Sequence, residues 1–373
     1  MQATVKTVSS YLEKLAPLTI AMPGDPVGLQ LGSNSAEINK ILLALDPDQA
    51  AVNEALSIGA ELLITHHPLF YQKLSSVNED LPAGALVADA IRNRLNIYSA
   101  HTNYDIAPEG VTYQLAARLG LSADNARVLE VTGSEQLLKL VVFVPSGHED
   151  AVRDALAAAG AGQIGDYSHS TFQVSGCGTF MPGAGANPYI GSRGRLEKVD
   201  ELRIETILPA TRRSAVINKL LEAHPYEEVA YDLYPLDLEG ETIGLGLTIN
   251  LEEAISLKQL IKLCRERLNA NSLRYWTGSK DSFKKIAICG GSGGSLIGNA
   301  VRQGADLFIS GDFRYHDLKQ AESSDLALVD AGHDATEWPG IAYLQQYLER
   351  KLQGDGYTTE VSLQTSGTAK WNC

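Results

Sequence analysis

The sequence predicts an α/β fold in two segments, with a smaller α+β unit inserted between them. Three observations carry this. Short β-rich runs alternate with helix-like stretches between residues 41 and 105, the same rhythm returns near the C-terminus, and the region between follows a different order. The expected boundaries are 1–125 and 237–373 for the two outer segments and 126–236 for the insert.

In chain order, residues 1–15 place Val5, Val8, Leu12 and Leu15 at helical spacing, with Lys6, Glu13 and Lys14 among them. That stretch has neither the apolar core nor the cleavage site of an export signal. Ile41 to Leu45, Glu61 to Thr65 and Asn96 to Ala100 read as strands, separated by helical periodicity over 48–58 and 83–94. The middle opens with the apolar run Leu137 to Val144, followed by a helix from Glu149 to Ala159 and a Gly-rich, irregular stretch over 160–194. A strand at Leu202 to Leu208, a helix at Thr211 to Ala223 and a strand at Val229 to Tyr234 complete it. This order suits a ferredoxin-like unit. Lys285 to Ile288, Asp306 to Ser310 and Ala327 to Val329 then restore the α/β rhythm.

Composition narrows the function classes. The 373 residues are enough for more than one domain. With 31 basic against 45 acidic residues the net charge is −14, and no basic stripe is visible, which argues against nucleic acid as a primary partner. The longest apolar runs contain a lysine and stop short of the ~20 residues of a membrane span. Cys177, Cys264, Cys289 and Cys373 form no C-x-x-C pair, so neither a zinc knot nor a disulfide framework is expected, and a reducing cytoplasmic home is.

The chemistry sits at strand ends. The strand ending at Thr65 runs into His66-His67-Pro68, the one ending at Ala100 into His101-Thr102-Asn103-Tyr104-Asp105, and the one ending near Asp330 into Ala331-Gly332-His333-Asp334-Ala335-Thr336-Glu337. Open α/β sheets place ligands at the carboxyl ends of their strands. Taken singly, His-His-Pro is an ordinary polar strand end and His333 with Glu337 an ordinary i, i+4 surface pair. Three such clusters together point to a metal site. Imidazoles and carboxylates without thiolate suit Zn, Fe, Mn, Co or Ni. Five ligands exceed what one open zinc site uses, which suggests two divalent ions per chain sharing Asp105 or Glu337.

These residues also carry a resemblance. Gly24-Asp25-Pro26-Val27-Gly28-Leu29-Gln30-Leu31-Gly32, Thr65-His66-His67-Pro68-Leu69-Phe70, His101 to Asp105, Gly311-Asp312-Phe313-Arg314-Tyr315-His316-Asp317 and Asp330 to Glu337 resemble, in order, the motifs of the NIF3-like family. Its bacterial members are often labelled GTP cyclohydrolase 1 type 2 homologs. The middle segment resembles the CutA-like or PII-like insert of the longer members. The resemblance implies a dinuclear metal site on His66, His67, Asp105, His333 and Glu337, and a toroidal homohexamer with these sites facing an inner cavity. It leaves the reaction open. The expected function is that of a metal-dependent hydrolase acting on a nucleotide or phosphate ester, and the alternative is metal storage, delivery or regulation without turnover.

Two departures matter. Pro26 stands where the family usually has Asn, and Pro339 follows Glu337 so closely that the helix is expected to begin near Glu337 or kink there.

His101 and His316 are the candidate proton donors, for His101 against a structural alternative. Gly290 to Gly294 reads either as a phosphate cradle, which Arg314 would assist, or as a tight turn, since it lacks the Lys and Ser/Thr of a P-loop. His224-Pro225-Tyr226-Glu227-Glu228 resembles an architectural motif of CutA-like domains. His148 and His169 read as solvated, and Cys289 as a buried small hydrophobe.

Overall fold

Unbroken apolar runs become the central, parallel strands of two mixed sheets, as expected where helices cover both faces. The computed structural model describes residues 1–270 and 272–365. The chain folds as two units: unit 1, residues 1–133 with 243–373, and unit 2, residues 134–242. The expected boundaries lay a few residues earlier. Two long strands, introduced below as β7 and β10, run through both junctions, so no break in composition marks them.

The first segment of unit 1 holds β1 (Ala3–Thr4), α1 (Val5–Leu15), β2 (Gly28–Leu31), β3 (Glu37–Ile38), β4 (Lys40–Ala44), α2 (Gln49–Ile58), β5 (Leu62–Thr65), α3 (Pro82–Arg92), β6 (Asn96–Ser99), α4 (Thr102–Ile106) and α5 (Val111–Leu119). Local chemistry sets the helix ends. Thr4 and Thr7 cap α1 reciprocally, Asp48 accepts from the Ala51 amide 2.7 Å away at the start of α2, and Pro82 occupies the first turn of α3.

In unit 2, β7 (Arg127–Pro145), α6 (Glu149–Ala158), β8 (Phe172–Phe180), β9 (Glu197–Pro209), α7 (Arg213–Ala223) and β10 (Tyr231–Ser256) follow in order β-α-β-β-α-β. Within it the strands lie in the order β10, β7, β9, β8. Leu140, Val142, Val144, Ile204 and Leu208 from the sheet pack with Val152 and Leu156 of α6 and Val216 and Leu220 of α7. β8 lies inside the stretch read as irregular. Its glycines and two-sided exposure erase any alternation, and it is held by an unbroken nine-residue antiparallel register with β9.

The chain returns to unit 1 with α8 (Leu257–Leu268), β11 (Arg274–Trp276), β12 (Ser282–Ser292), α9 (Ile297–Arg302), β13 (Leu307–Gly311), α10 (Tyr315–Ser323), β14 (Ala327–Asp330), α11 (His333–Gly354) and β15 (Glu360–Leu363). The first sheet has the order β15, β4, β5, β6, β2, and in unit 1 the second runs β11, β14, β13, β12, β10. β4, β5 and β6 are parallel, as are β12, β13 and β14.

The period-2 alternation of each strand feeds two cores. Ile41, Leu43 and Ile64 join α1 and α11 on one face of the first sheet, while Leu42, Ala44 and Leu63 join α2 and α3 on the other. The second sheet repeats this, with Ile288, Ile309 and Val329 against α5 and α8 and Ala287, Phe308 and Leu328 against α9 and α10.

Of the two alternatives for the helix after β14, the late start is corrected: α11 begins at His333, not near Glu337, and Pro339 lies inside it. Among the described residues no helix is long and apolar enough to cross a membrane. Cys177, Cys264 and Cys289 are unpaired, and Cys373 lies outside the described residues.

Candidate metal centre

The site lies in unit 1, where the carboxyl ends of parallel strands from both sheets meet. Strand pairing continues past β5: the His66 amide donates to the Ala44 carbonyl at 3.3 Å and the His67 amide to Leu45 at 2.9 Å. That fixes two consecutive imidazoles on one edge. His101 follows β6 and Asp105 lies one turn on, in α4. From the second sheet, His333 opens α11 just past β14, and the helical repeat brings Glu337 beneath it, Nε2 to Oε1 2.9 Å.

Every ring in the cluster is gripped from outside at Nδ1. His66 bonds the Ala100 carbonyl at 2.8 Å, His67 bonds Asp46 at 2.7 Å, His101 bonds Asp25 at 2.9 Å and His333 bonds Asp312 at 2.8 Å. A carboxylate or carbonyl can only accept, so these partners place the Nδ1 proton and leave Nε2 facing inward, the arrangement that orients metal-binding histidines.

Inside, the Glu337 carboxylate reaches His66 Nε2 at 3.6 Å, His67 Nε2 at 3.3 Å and His333 Nε2 at 2.9 Å. Asp105 lies 3.5 Å from His66 Nε2. The donor atoms of His66, His67 and His101 lie within 4.8 Å of one another, as do those of His67, His333 and Glu337.

The donor set fits a divalent cation. His66 Nε2, Asp105 Oδ1 and Glu337 Oε2 are buried without a hydrogen-bond partner, a costly condition that a shared cation relieves. Without a cation, protons take its place. Burial pulls the His66 and His67 imidazoles down, but the carboxylates around them prevail. His66 is raised by Asp105 and Glu337, and His67 is lifted to about 10 by Asp46 and Glu337. His333, opposed by burial in the same way, rises to about 9 through Glu337 and Asp312. Burial pushes Glu337 up, yet the three imidazoles hold it well below the carboxylate range. Burial raises Asp105.

The structure thus brings together His66, His67, Asp105, His333 and Glu337. His101 joins the ring cluster, 5.2 Å from His66 and 5.7 Å from His67 between centroids. His316 does not join it: it is exposed on the first turn of α10, with a ring contact to Tyr315.

Three carboxylates that orient the rings were not singled out in these roles from sequence. Asp46 just follows β4, as His66 follows β5, and that parallel was the available signal. Asp25 lay within the Gly24 to Gly32 motif, and Asp312 follows β13. Asp25 also accepts from the Thr102 amide at 3.0 Å, so the loop carrying Pro26 is tied to α4 through its aspartate.

Gly290 to Gly294 carries the end of β12 into a tight turn under close contact. The amides of Gly290 and Gly291 donate to the hydroxyls of Thr112 and Thr336 at 3.3 and 3.0 Å, and are not free to cradle a phosphate. Gly291 has φ +66°, and a Cβ there would collide with the Glu337 carboxylate. Arg314 precedes α10 and is exposed. Cys289 is buried, and burial pushes its thiol up.

Known proteins are similar to this chain in sequence and in fold. The family profile described as Duf34/NIF3 (NGG1p interacting factor 3) matches residues 3–368. A protein named GTP cyclohydrolase 1 type 2 homolog from Halalkalibacterium halodurans is 41% identical over 359 residues, 96% of each chain. Its namesake from Bacillus subtilis is 39% identical over 328 residues, 88% of this chain and 87% of that one. The crystal structure of a Bacillus cereus protein related to NIF3 matches with a TM-score of 0.85 at 39% identity, covering 100% of this chain and 99% of that chain.

Proposed function

Since the chain belongs to the Duf34/NIF3 family, we propose that it is a divalent-metal protein that hydrolyses a nucleotide or phosphate ester. Two ions per chain, drawn from Zn, Fe, Mn, Co or Ni, would be held by His66, His67, Asp105, His333 and Glu337, with His101 joining the set. The observation that carries this reading is the Glu337 carboxylate, which touches imidazoles from both sheets and so suits a bridge better than Asp105, whose ion-pair contact among the described residues is with His66. Bound ions would act as Lewis acids, drawing charge from an attacking water and from the substrate oxygen. The chain's own contribution is orientation: Asp25, Asp46, Asp312 and the Ala100 carbonyl hold four rings with Nε2 inward. The relatives' name makes GTP the first nucleotide to test.

The same reading includes a toroidal homohexamer, a cytoplasmic setting and a CutA/PII-like identity for unit 2, which its β-α-β-β-α-β order supports. Storage or delivery of metal is the second reading. It is favoured by one observation: His101 lies among the donors, which takes a candidate proton donor out of the space beyond the ligands.

Metal analysis of untagged protein separates these from a metal-free role, with about two ions per chain expected and both lost in His67→Ala and Glu337→Ala. Hydrolysis of GTP or a phosphate monoester that disappears in the same variants supports catalysis. Loaded protein that turns over neither class of substrate supports storage, and protein that takes up no metal defeats both.

A further inference from the structure

Unit 2 contains a cavity of about 480 Å³ beside β8 and β9, within the size range of small-molecule sites. Its walls are aromatic. Tyr226 is central, with ring centroids of Phe180 at 5.9 Å and Tyr189 at 6.3 Å, and Phe143 also lines it. The buried carboxylate in it is that of Glu201, 9% exposed. Gly178 makes room for that carboxylate, since a Cβ there would collide with it.

Glu201 has a donor but no counter-charge. The Tyr226 hydroxyl donates to its Oε1 at 3.1 Å. Among the described residues no cationic side chain pairs with it: Arg203 on β9 bonds Glu205 at 2.8 Å, Arg195 in the preceding loop meets Glu197 at 4.0 Å, and Lys198 on β9 makes no ion pair with it. His224 is also committed, its Nε2 donating to the Phe143 carbonyl at 2.9 Å and its Nδ1 accepting from the Tyr226 amide at 3.1 Å. Glu227 and Glu228 add carboxylates to the lining, and no lysine or arginine lines it. A buried anion without a counter-ion is costly, and aromatic faces attract cations.

We infer that this cavity is a binding site for a small organic cation, an ammonium group carried on a flat apolar body, whose charge pairs with Glu201 while its body packs on Tyr226, Tyr189 and Phe180. An aromatic cage with one buried carboxylate discriminates such a ligand from neutral and anionic molecules of the same shape, because only the cation compensates Glu201.

The test is calorimetric titration of the full-length protein with phenethylamine and benzyltrimethylammonium, beside the neutral 2-phenylethanol and the anion phenylacetate. The expected result is one site per chain for the cations, with the neutral and anionic probes at least tenfold weaker. Glu201→Gln, which keeps the acceptor for Tyr226, should weaken the cations at least tenfold, and His67→Ala should leave them unchanged. Tyr189 is 56% exposed, so Tyr189→Ala removes a wall without touching a core and should weaken every aryl probe severalfold. Should Glu201→Gln not fold, the cation-to-neutral ratio and Tyr189→Ala decide. Absence of binding by both cations, equal binding of 2-phenylethanol, or undiminished binding by a folded Glu201→Gln protein overturns the inference.

Discussion

The Nε2 atoms of His67 and His333 face each other at 3.3 Å, one ring fixed past β5 and the other at the first residue of α11. Each ring is anchored at Nδ1 by its own carboxylate, Asp46 or Asp312, and both reach the carboxylate of Glu337. The pair is therefore set for one shared positive charge.

Removing an outer carboxylate should loosen the rings without removing a donor. Asp46→Asn and Asp312→Asn each keep the size of the side chain but weaken the grip on Nδ1. Affinity for Zn²⁺ is expected to fall roughly 10–100-fold in each, read by competition against a chromophoric chelator, with the melting temperature of the chelated protein little changed. Wild-type affinity in both variants would show that the rings are positioned without them.

In chelator, the site's protons contribute stability with a definite sign. His67 and His333 hold theirs up to about 10 and about 9 in the folded chain, against about 6.5 when unfolded. Their contribution is thus complete below about pH 6.5 and is lost as pH climbs through 9 and 10. The chelated wild type should lose melting temperature over that interval more steeply than His67→Ala. Because a cation must displace the same protons, loading at neutral pH should acidify a weakly buffered solution. Parallel melting profiles, or loading without proton release, would contradict these assignments.

Gly291→Ala tests the turn against Glu337. The new methyl group meets the carboxylate at a backbone angle that disfavours side chains, so a loss of about 1–3 kcal/mol is expected, together with reduced metal content. Differential scanning calorimetry and metal analysis read the two effects. Full metal occupancy would mean that Glu337 has room to give.

His316→Ala should leave metal content intact and stability within about 0.5 kcal/mol, because the ring is exposed and outside the cluster. His101→Ala should lower metal content. If His316→Ala abolishes turnover while the metal stays, His316 acts from the substrate side.

Much of unit 1 was legible because its strands are apolar on both faces and end abruptly in histidines. Ile41 to Leu45 and Glu61 to Thr65 are written almost as folded. β8 was not legible, since Ser175-Gly176-Cys177-Gly178 gives no alternation and its pairing with β9 is a tertiary fact. The early start of α11 was hidden by Pro339 for another reason. Proline forbids one hydrogen bond, but the remaining turns and the burial of Ile341, Leu344 and Leu348 outweigh it. At the site the inward donors could be read from strand ends, whereas Asp25 and Asp46 acquire their roles through contacts with residues far along the chain.

The placement of Glu337 also has a consequence for biosynthesis. A ribosome releases His66, His67, His101 and Asp105 long before it reaches His333 and Glu337, with the whole of unit 2 translated in between. A nascent chain therefore presents four of the six donors first, and the set is complete only once His333 and Glu337 emerge, with translation nearly finished.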